Sequence, residues 1–290
     1  MRYSIEHRTH IDFPSPVSEH QCEMRLTPRR NEHQRVKNFE VWVEPDVDLF
    51  EYTDAFGNRV HHFSVLEPHD SLETHVEMEV ECDLADPFNY PLMAPEKERA
   101  WYEDRFRSDP SVWQYVIHES LQVPRPSALN MGGAPLPAWD RDQPLQTSLL
   151  KARDWVASFL AYRPGTTSTH ASLGEAVRQR SGVCQDFAHL LISIARSWGL
   201  PARYVMGYLA PCHAGGPVDN QASHAWAEVM IPGAGWRGLD PTNGLVVNDT
   251  YIAVAVGRDS REAAPQHGSF KGVRSNSLPD VRLVVTQQNQ

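Results

Sequence analysis

One amphipathic segment constrains the fold of this 290-residue chain more than any other feature. Its apolar residues recur at helical spacing and form a single stripe: Phe187, Leu191, Ile194, Ala195 and Trp198. The sequence therefore predicts a helix over 184–198, ended by Gly199 and Pro201. The β-branched and aromatic residues that follow predict a strand over 202–209. We expect this helix to be buried and the rest of the fold to be arranged around it.

Cys184 lies in the first turn of this helix, directly after the turn Ser181-Gly182. The unpaired N–H groups and the dipole at a helix start stabilise negative charge, so they favour a thiolate. Gly182 would also let the backbone approach a substrate closely. Two interpretations of Cys184 follow. It is either a nucleophile or a small buried apolar residue, which is a frequent role of a free cysteine.

His224 and Asp240 lie on a predicted antiparallel hairpin. His224 begins one strand and Asp240 ends the next, with the turn signal Ile-Pro-Gly-Ala-Gly at 231–235 between them. If the strands pair about this turn, the two side chains come close to opposite each other. A base oriented by a carboxylate, next to a thiol at a helix start, favours the interpretation of Cys184 as a nucleophile.

Three motifs, GVCQDFAH (182–189), SHAWAEV (223–229) and GLDPTN (238–243), resemble those of the transglutaminase-like superfamily. More narrowly, they are similar to those of the bacterial transglutaminase-like cysteine proteases, and the resemblance extends over most of the chain. It implies a papain-like site in which Cys184 is the nucleophile, His224 the base and Asp240 the orienting carboxylate. It also implies an N-terminal β-domain of unknown role.

The oxyanion formed on attack would need two hydrogen-bond donors. The backbone N–H of Cys184 is expected to be one of them, because it lies at the helix start. For the second donor the candidates are Trp226, Gln185 and Tyr162.

Three residues near the nucleophile are expected to support the site rather than react. Asp186 can bind the backbone N–H groups of the first helical turn. His189 lies five positions after Cys184, so its side chain points away from the thiol. Gly182 provides the turn before the helix.

The predicted fold class is α+β. An N-terminal antiparallel β-sandwich over 1–88 is followed by a transglutaminase-like, papain-like catalytic domain over 89–290, whose nucleophile lies at the N-terminus of a helix packed on an antiparallel sheet. The sandwich is predicted from short strands at roughly ten-residue spacing, separated by turns such as Pro14-Ser-Pro16. Residues 89–148 form a helical connector.

Further elements follow from local signals. The sequence predicts helices over 95–107, 111–121, 147–163 and 176–180, a loop over 121–144, and strands over 46–53, 245–256 and 280–286. The helix over 176–180 follows a capping-box match between Ser172 and Glu175. The last strand is expected to close the catalytic domain.

Two segments rich in glycine and proline, 122–144 and 210–222, are expected to be mobile borders of the substrate cleft. The second contains Cys212, interpreted as an incidental loop cysteine rather than a second reactive thiol. It also contains Gln221, at a position where relatives often carry an acidic residue.

Composition limits the partners. A formal net charge of −10 disfavours nucleic acid and anionic membranes. No apolar segment indicates a signal peptide or a transmembrane helix. The four cysteines contain no C-x-x-C pair and no zinc spacing, and a reduced cytoplasmic location is expected because it suits a free thiol nucleophile. His61 and His62 would point to opposite faces of a strand, so they cannot easily bind one metal ion together. No metal and no cofactor are expected.

The function that the sequence favours is thiol-dependent hydrolysis of a peptide or protein amide through a thioester. The alternatives are acyl transfer to an amine, a non-catalytic binding module, and a metal protein using Cys184 with histidines. The last lacks a spaced ligand cluster. The sequence specifies no oligomeric state.

Overall fold

The computed structural model describes residues 1–118, 120, 122–164, 172–210, 218–220, 223–273 and 279–288. The helices are α1 (Pro95–Ser108), α2 (Leu145–Phe159), α3 (Leu173–Gln179) and α4 (Cys184–Ser197), with 3₁₀ turns at Pro110–Tyr115 and Pro126–Ala128. The strands are β1 (Arg2–Met24), β2 (Gln34–Glu44), β3 (Phe50–Thr53), β4 (Arg59–Val65), β5 (His69–Cys82), β6 (Ala161–Tyr162), β7 (Ser181–Gly182), β8 (Ala202–Leu209), β9 (Val218–Asn220), β10 (His224–Ile231), β11 (Gly235–Asp240), β12 (Leu245–Val246), β13 (Tyr251–Gly257), β14 (Gln266–Lys271) and β15 (Asp280–Gln288).

The N-terminal sheet is built on the long strand β1. Its first half pairs with β5 and β15, and its second half pairs with β4 and β14, all antiparallel. The predicted turn at Pro14–Pro16 is wrong, because β1 continues through these prolines at a shift of register between Asp12 and Val17. Irregular pairing tolerates proline there, since no ladder hydrogen bond is lost. Because both halves share β1, the strands form one curled eight-stranded sheet instead of two separate sheets.

The end of the chain returns to this N-terminal sheet. β15, which the sequence assigns to the catalytic domain, pairs instead with β1 from Arg2 to His10. β14 also pairs with β1. A division of the chain at residue 88 therefore does not separate the two sheets, and the domain boundary itself remains a prediction.

The second sheet is antiparallel, with strand order β12-β11-β10-β8-β13. Helix α4 covers one face, where it packs against Tyr204, Ala225 and Ala227. The predicted helix is confirmed and ends one residue early, at Ser197. Side chains of the opposite face form a second apolar cluster: Val205, Trp226, Val247, Tyr251, Ala253 and Val256.

Most connecting elements differ from the prediction at their ends. Helix α1 is confirmed to within one residue, but the predicted helix over 111–121 is only the 3₁₀ turn Pro110–Tyr115. The strand predicted over 46–53 is reduced to β3, and the strand over 245–256 is split into β12 and β13. Asn248 causes the split, because its side chain accepts hydrogen bonds from the backbone and side chain of Thr250.

Two helices before the thiol are also corrected. Helix α2 ends at Phe159 because Ala161 and Tyr162 pair in parallel with Ser181 and Gly182. Helix α3 begins at Leu173, and the Ser172 side chain makes no capping hydrogen bond, so the capping box is not formed.

The loop over 122–144 is held against the core. Val123, Leu129 and Met131 are buried, and Arg180 donates a hydrogen bond to the carbonyl of Met131 at 2.9 Å. Within the described ranges, none of the helices has the length and apolar character that a membrane span requires.

Candidate active site

Cys184 is the first residue of α4, and Asp186 fixes the turn before it. The Asp186 Oδ2 accepts a hydrogen bond from the Val183 N–H at 2.9 Å, and the Asp186 N–H donates to the Val183 carbonyl at 2.9 Å. Gly182 makes this possible, because a Cβ there would lie 2.5 Å from Asp186 Oδ2. The glycine therefore accommodates Asp186, which is a structural role distinct from the substrate approach considered from the sequence.

Tyr162 is placed beside the thiol by the parallel pair β6–β7, in which it lies opposite Gly182. The residue is 53% exposed, and its ring contacts Phe187 on α4. Burial, and to a smaller extent the charge of Cys184, raise the pKa of Tyr162. The distant segments that carry Tyr162 and Cys184 thus converge on one point.

His224 and Asp240 are in direct contact, with 2.7 Å between His224 Nε2 and Asp240 Oδ2. Strands β10 and β11 pair so that Leu239 lies opposite Ala227, which puts Asp240 level with Trp226. The His224 side chain therefore reaches Asp240 diagonally rather than directly across the hairpin.

Asp240 is 0% exposed and is surrounded by donors. Its Oδ1 accepts the backbone N–H groups of Thr242 at 2.9 Å and Asn243 at 3.3 Å. Its Oδ2 accepts His224, the Asn243 amide at 2.8 Å and the Tyr251 hydroxyl at 2.9 Å. Burial by itself would raise the pKa of Asp240. The hydrogen bond and the charge of His224, together with the hydrogen bonds of Asn243 and Tyr251, outweigh burial and lower the pKa of Asp240.

His224 lies between this carboxylate and the thiol. Burial opposes its charge, but hydrogen bonds to Asp240 and Cys184 raise the pKa of His224 to about 9. Because Nε2 is bound to Asp240, Nδ1 is the nitrogen available to Cys184. The raised pKa favours an imidazolium that faces the sulfur.

The other two oxyanion candidates differ in position. Trp226 is fully buried, and its Nε1 has no acceptor among the described residues. Its ring packs edge-on against Tyr251, with 5.3 Å between centroids, and lies 6.2 Å from the His224 ring. Gln185 lies in the first turn of α4 and is partly exposed beside Cys184.

His189 connects α4 to Ser260, which directly follows a Gly-Arg-Asp segment (257–259) at the end of β13. Its Nε2 accepts a hydrogen bond from the Ser260 N–H at 3.1 Å, and its ring packs 5.0 Å from that of Tyr204. Burial lowers the pKa of His189 to about 3, so the ring is neutral at physiological pH. This contact holds α4 against the strand end.

Arg196 was not singled out by the sequence, although it ties several segments together. It is buried and donates to four backbone carbonyls: Tyr115, Ile117, Ala202 and Arg258. In the Gly-Arg-Asp segment, Arg258 pairs with Glu262 through a 2.8 Å bond. Both residues thus have structural roles.

Tyr251 and Asn243 are the site residues that sequence reasoning missed. Asn243 has a local signal, because it ends the GLDPTN motif three positions after Asp240. Tyr251 has none, because it reaches Asp240 from another strand of the sheet. Cys212 and Gln221, with most of the predicted cleft border over 210–222, lie outside the described residues.

No group of three or more His, Cys, Asp or Glu side chains within the described ranges is arranged to hold a metal ion. The histidines of the N-terminal sheet have other contacts. His61 stacks on Phe39, and His20 lies 3.3 Å from His69. These residues therefore offer no built ligand set.

Known proteins match the chain in two segments and over its whole length. Residues 3–81 match the bacterial transglutaminase-like N-terminal region, and residues 140–241 match the transglutaminase-like superfamily. An uncharacterised protein of Mycobacterium leprae is 34% identical over 99% of both chains. A protein-glutamine gamma-glutamyltransferase of Pseudomonas aeruginosa is 27% identical over 55% of this chain and 25% of its own. The crystal structure of a proposed cysteine protease from Cytophaga hutchinsonii has the same fold, with a TM-score of 0.70 and 20% identity over 98% of this chain and 97% of its own.

Proposed function

Because the chain belongs to the transglutaminase-like superfamily, which in general supports a thiol-dependent hydrolase or acyltransferase, we propose that it hydrolyses an amide bond of a peptide or protein. Cys184 is the nucleophile, His224 the acid and base, and Asp240 the orienting carboxylate. The observation that carries this proposal is the position of His224, which is bonded to the fully buried Asp240 at 2.7 Å and is close enough to Cys184 for the thiol to affect its pKa.

The first half of the reaction forms a thioester. The thiolate of Cys184 adds to the amide carbonyl, and the Cys184 backbone N–H at the helix start donates to the oxyanion. Tyr162 and Gln185 are the candidates for the second donor. The Trp226 ring lies 6.2 Å from the His224 ring, and we assign Trp226 the role of holding the imidazole in place. The His224 imidazolium then gives its proton to the leaving nitrogen as the C–N bond breaks.

The second half releases the acyl group. Neutral His224 takes a proton from water, which adds to the thioester carbonyl. The C–S bond then breaks to give the free acid, and the thiolate is restored beside the imidazolium. Asp240 stays ionised throughout and stabilises the imidazolium each time it forms.

Acyl transfer to an amine is the second candidate function. It is favoured by the partial similarity to the glutamyltransferase of Pseudomonas aeruginosa. A transferase must keep water from the thioester and admit an amine, which calls for a shaped and dry channel. The acyl-enzyme is common to both reactions, so the acceptor decides between them.

The test supplies peptide amides with and without millimolar primary amine, in the presence of a calcium chelator, and follows the products by mass spectrometry. The expected product is the free acid. The Cys184→Ala variant should form none, while the Cys22→Ala variant, which removes a buried thiol elsewhere, should retain activity.

Turnover by Cys184→Ala would contradict the proposal. An amine adduct exceeding the free acid would replace hydrolysis by transfer. Peptide binding without turnover by the wild-type protein would favour a binding module.

A further inference from the structure

Tyr251 links the buried carboxylate to the edge of the second sheet. Its hydroxyl donates to Asp240 Oδ2 at 2.9 Å, and its ring packs against Trp226. The residue is the first of β13, which pairs with β8 on one side and is an edge strand of that sheet. The position of the hydroxyl therefore depends on what holds this edge.

The N-terminal sheet holds it through Gln34. The Gln34 carboxamide donates to the Ala253 carbonyl at 2.8 Å and accepts the Ala253 N–H at 2.8 Å, so it pairs with β13 as a neighbouring strand would. Cys82, at the end of β5, contacts the Tyr251 carbonyl at 3.9 Å. Both contacts fall within two residues of Tyr251.

A pocket of 370 Å³ that is partly open to the surface lies between the N-terminal sheet and the second sheet, lined by Gln34, Trp226, Tyr251 and Ala253 among others. Beside this pocket, the paired hydrogen bonds of Gln34 are direct contacts between the N-terminal sheet and β13.

We propose that Tyr251 is a positioning residue that acts through Asp240, and that the N-terminal sheet holds it in place through Gln34. This inference rests on the proposed function and gives the N-terminal region a part in the chemistry. Removal of the Tyr251 hydroxyl leaves two donors, His224 and Asn243, on Asp240 Oδ2. The charge on that oxygen is then less dispersed, and the oxygen binds the imidazolium more tightly.

Tyr251→Phe should change each measured quantity in a definite direction. His224 becomes more basic, so the Cys184 thiolate forms at lower pH. The imidazolium also releases its proton less readily to the leaving nitrogen, which lowers kcat. General damage to the site would separate His224 from Asp240, and thiolate formation would then move to higher pH instead.

The experiment compares Tyr251→Phe, Gln34→Met, their double variant and Asn58→Leu in the full chain. Asn58 is the matched control, because it makes the same paired bonds to the N–H and carbonyl of Val256, farther along β13. The rate of Cys184 alkylation by iodoacetamide is measured against pH without substrate. The values of kcat, KM and melting temperature are measured for the same proteins.

The expected result for Tyr251→Phe is an alkylation midpoint lower by about half a pH unit and a kcat lower by about tenfold, with KM little changed. Gln34→Met should lower both the alkylation midpoint and kcat. The double variant should change these two quantities no more than Tyr251→Phe alone, because the two residues act through one contact. Asn58→Leu should lower the melting temperature without moving the midpoint.

Three results would overturn the proposal. They are an alkylation midpoint of Tyr251→Phe at higher pH, losses of kcat that multiply in the double variant, and a midpoint shift in Asn58→Leu equal to that in Tyr251→Phe. The alkylation profile needs no turnover. A protein that hydrolyses no amide would therefore contradict the proposed function while the role of Tyr251 is still measured.

Discussion

Asp240 is the residue on which the proposed chemistry depends, although the proposal gives it no contact with the thiol. It is buried, ionised and bound by five hydrogen bonds, and it holds the imidazole of His224 by one nitrogen. The tautomer of a histidine is set by the bond at its other nitrogen. A carboxylate at position 240 therefore leaves Nδ1 of neutral His224 free to accept the proton of Cys184.

Asp240→Asn should lower kcat by about 10⁴-fold, as expected when the orienting carboxylate of a catalytic histidine is replaced by an amide. The amide nitrogen would donate to Nε2 and leave the proton on Nδ1, where it faces the sulfur. The measurement is turnover beside thermal melting. Asp259→Asn makes the same change at another buried carboxylate and serves as control. If activity and stability fall in proportion at both positions, Asp240 is only structural.

The element that presents Cys184, the proposed nucleophile, is the start of α4. The helix is amphipathic and almost completely buried, and its first turn is closed by the Asp186 carboxylate rather than by a capping Ser or Thr. The carboxylate needs the space that Gly182 leaves. Strand pairing before the helix then brings Tyr162 to the same point.

Gly182→Ala should destabilise the protein by about 1–3 kcal/mol, the usual cost of forcing an extra carbon into a packed site. The new Cβ would lie 2.5 Å from Asp186 Oδ2, so the bond to Val183 must be lost or the turn must move. Denaturant unfolding and Cys184 alkylation measure the two effects. Gly174→Ala is the matched control, because its Cβ would meet nothing closer than 3.8 Å. Equal behaviour of both variants would show that the turn tolerates the methyl group.

At the scale of the whole molecule, the two sheets share one core. Buried residues of β1, such as Tyr3 and Ile5, belong to the same apolar cluster as Leu191 of α4. The N-terminal sheet also includes the last strands of the chain. We therefore treat the unfolding of the described fold as one event that includes the candidate active site.

The free energy of unfolding should have its maximum near pH 6.5. Burial lowers the pKa values of His7 and His20 to about 4 and of His189 to about 3, so their contribution is complete above the unfolded value of 6.5 and is lost as pH falls toward 4. The pKa of His224 is raised to about 9, so its contribution is complete below 6.5 and is lost as pH rises through 9.

The measurement is the free energy of unfolding in denaturant from pH 4 to pH 9. His224→Gln should lose the decline above pH 6.5 and keep the decline in acid. A wild-type protein whose stability stays level between pH 6.5 and 9 would contradict the bridging position of His224.

The sequence by itself determined the elements whose signals are local. The period of α4, the stop at Gly199 and the turn at 231–235 lie within short stretches, so the helix and the hairpin carrying His224 and Asp240 are readable from them. The motifs that mark the family lie in the same stretches. Element ends were less predictable, as for α2, because pairing with a distant strand ended the helix.

Only the tertiary structure decided the contacts between distant segments. Proline signals divided β1, yet its pairing with β5 and β15 carries it through as one strand, and the same pairing takes β15 away from the second sheet. Tyr251 reaches Asp240 from β13, although β8 and β10 lie between β13 and β11 in the sheet. Such contacts depend on which sheet edges remain open after the local elements form. No pattern within a few residues encodes that choice, so the support of the carboxylate by Tyr251 and Gln34 is visible in the fold alone.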